Sequence, residues 1–281
     1  MIASRSLYVA VAEHEIHLTE WGEADAPALV MWHGLGRTGR DFDTAAAHFA
    51  DRYRVICPDT IGRGLSSWSS RPEEDYVVPA YCGHAAALLD ELGIDRCLWV
   101  GTSMGGLIGM ALAADPRQGG RIRRLVMNDV GPAINPAAVE RINSYVSIVP
   151  EYGGMAEFEQ SLRAIYAPFG VLSDQEWRTM AETSMRRLPN GNITYHYDPE
   201  VMRVFCERFE NREAWDLWDA VRCPVLAVRG AESDLLLPLT VEEMGRRGPC
   251  AQTLVVPGCG HAPMLNAPEQ LLPLAAFLDA G

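Results

Sequence analysis

The sequence predicts an α/β chain: a mostly parallel central sheet flanked by helices, with a helical cap inserted after the sixth strand. Three observations point there. Short apolar runs of strand length alternate with helix-length segments from residue 28 onward, the pattern of a parallel sheet covered on both faces. That rhythm stops after Asn128-Asp129-Val130-Gly131-Pro132, and up to about Asp219 only helical patterns follow. Strands then return at 224–228 and 253–256.

Taken in order, Leu7–Val11 and Glu15–Thr19 read as an antiparallel edge hairpin. Pro27 introduces the continuous apolar run Ala28–Trp32, which ends in His33-Gly34-Leu35-Gly36. A helix is expected over 42–49 and a strand over 54–57. Pro58-Asp59 and a loop containing Gly62-Arg63-Gly64-Leu65-Ser66 come next, then a helix over 79–92. The run Leu98-Trp99-Val100 leads into Gly101-Thr102-Ser103-Met104-Gly105-Gly106, with a helix over 104–114 and a strand over 125–127. Helical patterns at 137–149, 155–166, 173–187 and 200–210, punctuated by Gly, Pro and Asn, make up the insertion. Helices near 239–247 and over 268–279 complete the chain. The division expected is a core domain of residues 1–130 and 220–281 carrying a cap of residues 131–219.

Composition bounds the function. With 281 residues, 48% of them apolar, the chain can bury a substantial core and is not disordered. Its net charge is −13, and all 24 basic residues are arginine. An acidic surface argues against nucleic acid or an anionic membrane as partner. The absence of lysine removes Schiff-base and P-loop chemistry. Seven cysteines occur without a C-x-x-C pair, and Cys57, Cys97 and Cys223 fall in or beside strand-like runs. They read as small core residues of a protein in a reducing cytoplasm. No secretory signal or membrane span is evident near the N-terminus.

The chemistry is carried by the G-x-S-x-G segment Gly101–Gly105. A serine on a sharp strand-to-helix turn is held in strained backbone geometry, and side chains at Gly101 and Gly105 would collide with the neighbouring strand and helix. A serine hydroxyl needs a neighbouring base, and the base a third group to fix its tautomer. Two loops beyond strand ends offer them: Gly230-Ala231-Glu232-Ser233-Asp234 and Gly258-Cys259-Gly260-His261-Ala262-Pro263. The chain order Ser103, Asp234, His261 is the one used on this type of sheet. The backbone N–H groups of Met104 and Leu35 are the expected oxyanion donors. His33 is read as a loop-packing residue and Trp32 as core.

With these motifs, from residue 28 to the C-terminus outside the insertion, the chain resembles the α/β-hydrolase superfamily in its esterase, lactonase and C–C hydrolase branch. The resemblance implies Ser103 as nucleophile, His261 as general base and then acid, and Asp234 as the orienting carboxylate. Asp129, after the preceding strand, is the alternative triad acid, since some members place theirs there. Relatives with an elbow aspartate, the haloalkane dehalogenases and epoxide hydrolases, run a chemistry that Ser103 excludes.

The function expected is cofactor-independent hydrolysis of a small, largely apolar carboxylic ester or lactone. The alternatives are C–C bond hydrolysis of a ring-fission product, for which Arg37, Arg40 and cap arginines could bind a dianion, then perhydrolase or acyltransferase activity. A receptor or scaffold of the same fold is the non-enzymatic alternative. The cap aromatics Tyr145, Tyr152, Phe158, Tyr166, Phe169, Trp177, Tyr195, Tyr197 and Phe205 favour an apolar pocket collectively, although singly such residues are more often cap core. His196 reads as packing or pocket wall, and Arg121, Arg123 and Arg124 as a solvated loop. His14, His17, His48 and His84 are scattered without ligand spacing, so neither a metal nor a cofactor is expected. A homo-oligomer is compatible with the sequence.

Overall fold

The computed structural model describes residues 3–146, 148–210 and 212–280; the side chains of Tyr145 and Val146 lie outside the described ones. Eight strands form the central sheet in the order β1-β2-β4-β3-β5-β6-β9-β10. The edge hairpin is β1 (Arg5–Val11) and β2 (His14–Trp21), antiparallel to each other. β2 also pairs antiparallel with β4 (Arg54–Pro58). From β4 onward every pair is parallel, through β3 (Ala28–Trp32), β5 (Cys97–Thr102), β6 (Ile122–Asn128), β9 (Val225–Gly230) and β10 (Gln252–Val256).

Why these runs are continuously apolar follows from the period of two along a strand. In β3, Leu29 and Met31 join one core while Val30 and Trp32 join the other. β5 sends Leu98 and Val100 one way and Trp99 the opposite way, and β9 divides Leu226 and Val228 from Val225 and Ala227 in the same fashion. The first core is closed by α1 (Asp43–Phe49) and α11 (Pro268–Asp279), through Phe49, Leu274 and Phe277. The second is closed by α3 (Val78–Glu91), α4 (Met104–Ala114), α9 (Trp215–Ala220) and α10 (Pro238–Met244). There the Trp32 and Trp99 rings stack at 5.3 Å. The short α2 (Pro72–Asp75) precedes α3.

Between β6 and β9 the chain makes α5 (Pro136–Val146), α6 (Met155–Ile165), α7 (Asp174–Ser184) and α8 (Pro199–Arg208), followed by α9. α7 begins with a capping box in which Ser173 and Glu176 exchange hydrogen bonds, and the Asp198 side chain caps α8. One element departs from the helical expectation. Residues 185–187 leave the helix read over 173–187 and pair as β7 (Met185–Arg187) with β8 (Ile193–Tyr195) in a separate two-stranded antiparallel sheet. A second departure is that β6 starts at Ile122, so Arg123 and Arg124 belong to the strand rather than to a solvated loop, and the Arg124 guanidinium lies 5.3 Å from the Phe277 ring centroid.

Candidate active site

Ser103 stands between the end of β5 and the start of α4 with φ 51° and ψ −114°, an uncommon conformation for a residue with a Cβ. The glycines around it are required by contact. A Cβ on Gly101 would lie 2.2 Å from the Gly105 carbonyl group, and one on Gly105 would lie 2.0 Å from the Trp32 carbonyl oxygen. The turn brings β5, α4 and β3 so close that only hydrogen fits between them.

His261, in the loop after β10, reaches Ser103 Oγ with Nε2 at 3.1 Å and Asp129 Oδ2 with Nδ1 at 2.8 Å. A carboxylate accepts only, so Nδ1 carries the proton and Nε2 presents its lone pair to the serine hydroxyl. Asp129 follows β6 at φ 54° and is completely buried. Its Oδ1 accepts from the Gly230 amide at 2.8 Å, and its Oδ2 also accepts from the Ser233 hydroxyl at 2.5 Å. Three donors fix the carboxylate in position.

Asp234 was expected to hold the imidazole, and the structure places it elsewhere. Its carboxylate turns outward to Arg141 of α5, at 2.7 and 2.9 Å, and is about half exposed. The Arg141 guanidinium holds its carboxyl below the ordinary value. The residue of that loop that reaches the buried array is Ser233, which the sequence reading did not single out; its position beside an acidic candidate was the only signal. The residue in contact with His261 is thus the alternative acid, Asp129.

Leu35 and Met104 both line the cavity in front of Ser103. Among the described residues neither backbone N–H is taken by a protein acceptor. Met104 opens α4, so its amide belongs to the unpaired first turn of a helix, where negative charge is favoured. His33 holds the loop from behind. It donates from Nδ1 to the Gly34 carbonyl at 2.7 Å and accepts the Thr60 amide at Nε2 at 2.9 Å, and burial pushes its pKa down to about 4. The neutral ring is a packing element, as expected.

The cavity measures about 750 Å³ and its wall is mainly apolar. Of the expected aromatics, Tyr152, Tyr166, Phe169, Tyr195, Tyr197 and Phe205 line it, whereas Phe158 and Trp177 are buried away from it. The Tyr145 side chain lies outside the described residues. His196 does not line the cavity. Arg37 does, but its Nε and Nη2 are held by Asp41 and its guanidinium stacks on Tyr166; Arg40 is paired with Asp43 and stays off the wall. The histidines read as scattered are partly gathered by the fold, since His14 and His84 meet at Asp75. No helix among the described residues is long and apolar enough to cross a membrane.

A family model described as "Alpha/beta hydrolase family" matches residues 29–274. The chain belongs to the alpha/beta hydrolase family. It is 41% identical over 268 residues to the 3-hydroxybutyrate-oligomer hydrolase of Cupriavidus necator, covering 92% of this chain and 90% of that one. It is 39% identical over 217 residues to 3-oxoadipate enol-lactonase 2 of Acinetobacter baylyi, covering 77% and 75%. Among solved structures, an alpha/beta hydrolase from Novosphingobium aromaticivorans superposes with a TM-score of 0.88 at 30% identity and 99% coverage of both chains. This alpha/beta hydrolase is therefore similar in sequence to enzymes named for hydrolysis of 3-hydroxybutyrate oligomers and of an enol-lactone.

Proposed function

We propose that this alpha/beta hydrolase cleaves carboxylic esters through an acyl-enzyme on Ser103, with short esters of hydroxy acids as its substrate class. The observation that carries the reading is the line Ser103–His261–Asp129, at 3.1 and 2.8 Å, opening into a mainly apolar cavity of about 750 Å³. Ser103 Oγ attacks the ester carbonyl carbon as its proton passes to His261 Nε2, and Asp129 steadies the imidazolium. The Leu35 and Met104 amides receive the oxyanion. The leaving alcohol departs with the proton from His261, and water, deprotonated by His261 in turn, releases the acid and restores the serine.

Residues 131–219 act as the cap that shapes the acyl and alcohol sites. The relative named for 3-hydroxybutyrate oligomers makes those oligomers the first substrates to test. A C–C hydrolase asks for arginines facing a dianion; the arginines that line the cavity are each paired with a carboxylate, Arg37 with Asp41, Arg141 with Asp234 and Arg208 with Glu73, which favours the ester. All seven cysteines are free, in keeping with a reducing compartment such as the cytoplasm.

The test is labelling with a fluorophosphonate, followed by peptide mapping, and turnover of p-nitrophenyl esters and of 3-hydroxybutyrate dimer and trimer. We expect one adduct, on Ser103, and a Ser103→Ala variant slower by about 10⁴-fold or more in kcat. Undiminished ester turnover in Ser103→Ala, or an adduct elsewhere that tracks inhibition, overturns the assignment.

A further inference from the structure

Outside the lining of the cavity, β2 and the consecutive helices α2 and α3 bring together two imidazoles and a carboxylate. His14 opens β2, Asp75 closes α2 and His84 lies in α3. One potential ligand atom from each lies within 4.8 Å of the other two. His14 Nε2 and Asp75 Oδ2 are 3.2 Å apart, with side chains 8% and 11% exposed. The two imidazoles meet edge to face, their centroids 5.2 Å apart. His84 Nδ1 is buried and has no hydrogen-bond partner among the described residues, so no protein contact locks that ring by this atom.

We propose that His14, Asp75 and His84 form a three-ligand site for a divalent transition-metal cation of the zinc class. Metal–ligand bonds of about 2.0–2.1 Å in a tetrahedron place neighbouring donors about 3.3 Å apart. The His14–Asp75 pair already has that spacing, and the His84 donor, within 4.8 Å of both, closes on them when the ion binds. Two imidazoles and one carboxylate suit Zn²⁺, Co²⁺ or Ni²⁺ over Mg²⁺ or Ca²⁺, which demand more oxygen donors. Water takes the fourth position. Ser69, whose hydroxyl donates to the same Asp75 Oδ2, orients the carboxylate.

The site is tied to the cavity by chain continuity. Tyr76 follows Asp75 directly, donates its hydroxyl to Asp198 at 2.8 Å, and lines the cavity together with Val77 and Val78. An ion that clamps α2 to β2 and α3 therefore stiffens this wall. The inference is independent of the ester reading, because neither Ser103 nor His261 takes part.

The full chain, stripped with EDTA and desalted, is titrated with ZnCl₂ by calorimetry, alongside His14→Gln and His84→Gln. We expect one saturable site per chain, weakened at least tenfold in each variant, with melting temperatures in EDTA unchanged. Zinc should slow amide exchange across residues 72–84 in the wild type and not in the variants. Should His14→Gln melt early in EDTA, His84→Gln carries the test, since no hydrogen bond of that side chain to the described residues is lost. Absence of saturable binding overturns the site, as does unchanged affinity in both variants. A thiolate charge-transfer band on loading with Co²⁺ does the same, because it assigns the ion to cysteine.

Discussion

Among the described residues two Ser–His–carboxylate lines differ in what lies in front of them, and the one at Ser103 faces the cavity. Ser6, His17 and Asp59 are joined at 2.7 and 2.8 Å, and Ser103, His261 and Asp129 at 3.1 and 2.8 Å. By distance alone the first is the tighter relay. Ser6, however, lies on the edge strand β1, and neither it nor His17 lines the cavity. Ser103 stands in a strained turn at the head of α4 and opens onto the cavity that Leu35 and Met104, the proposed oxyanion donors, also line. What separates the proposed active array from the other is therefore the cavity in front of it, since hydrogen-bonded order among three side chains arises in packing as well.

The largest effect expected from breaking this comparison is at Asp129. Asp129→Asn keeps the shape but lets the amide present a donor to His261, favouring the wrong tautomer, so kcat on p-nitrophenyl esters should fall by about 10³–10⁴-fold. Asp234→Asn should cost less than about tenfold, since that carboxylate faces Arg141 at the surface. Steady-state kinetics on the two purified variants decides it, and the reverse order would return the acid to the loop after β9. Asp59→Asn, the matching change in the other line, should leave the remaining active protein with wild-type kcat.

How far the sequence could carry this follows from the range of each constraint. Gly101 and Gly105 were readable because their need is local: the turn that lifts Ser103 leaves room for no Cβ. The β-core was readable because each buried strand must feed two cores, which makes its run continuously apolar. The choice between Asp129 and Asp234 was not. It depends on a positive φ at Asp129, on the Ser233 and Gly230 donors that meet it, and on an arginine of α5 that draws Asp234 away. The β7–β8 hairpin was hidden because strands of three residues carry too short a pattern to interrupt a helical reading. The meeting of His14, Asp75 and His84 is likewise a product of tertiary structure, without a spacing to announce it.

Next in size is the stability held by the second line. Asp59 is buried, with its carboxylate accepting from His17 and from the Gly39 and Leu65 amides. Burial alone would raise its pKa, but the His17 hydrogen bond, the adjacent His33 and the Leu65 amide outweigh it and hold the group below its ordinary value. Asp59→Ala strands an imidazole and two amides and should cost about 3–5 kcal/mol in urea unfolding. The sign of the pH effect follows from the direction of the shift. A carboxylate with a depressed folded pKa contributes its full share above the unfolded value near 4, and loses it as pH falls through the lower folded value. The wild-type advantage over Asp59→Ala should therefore be constant near neutrality and shrink on acidification; an advantage that grows in acid would deny the buried carboxylate this role.

The smallest effect is expected where charge is most visible. Arg141 and Asp234 form a paired-nitrogen contact between α5 and the loop after β9, but both side chains are nearly half exposed. Solvent and salt screen such a pair, so Arg141→Ala should change unfolding stability by no more than about 1 kcal/mol, less in 1 M NaCl than in 0.05 M. Because Arg141 also lines the cavity, its loss should be felt more in KM for longer esters than in kcat. A drop in kcat comparable to that of Asp129→Asn would mean that Asp234 acts on His261 after all, with Arg141 as the group that positions it.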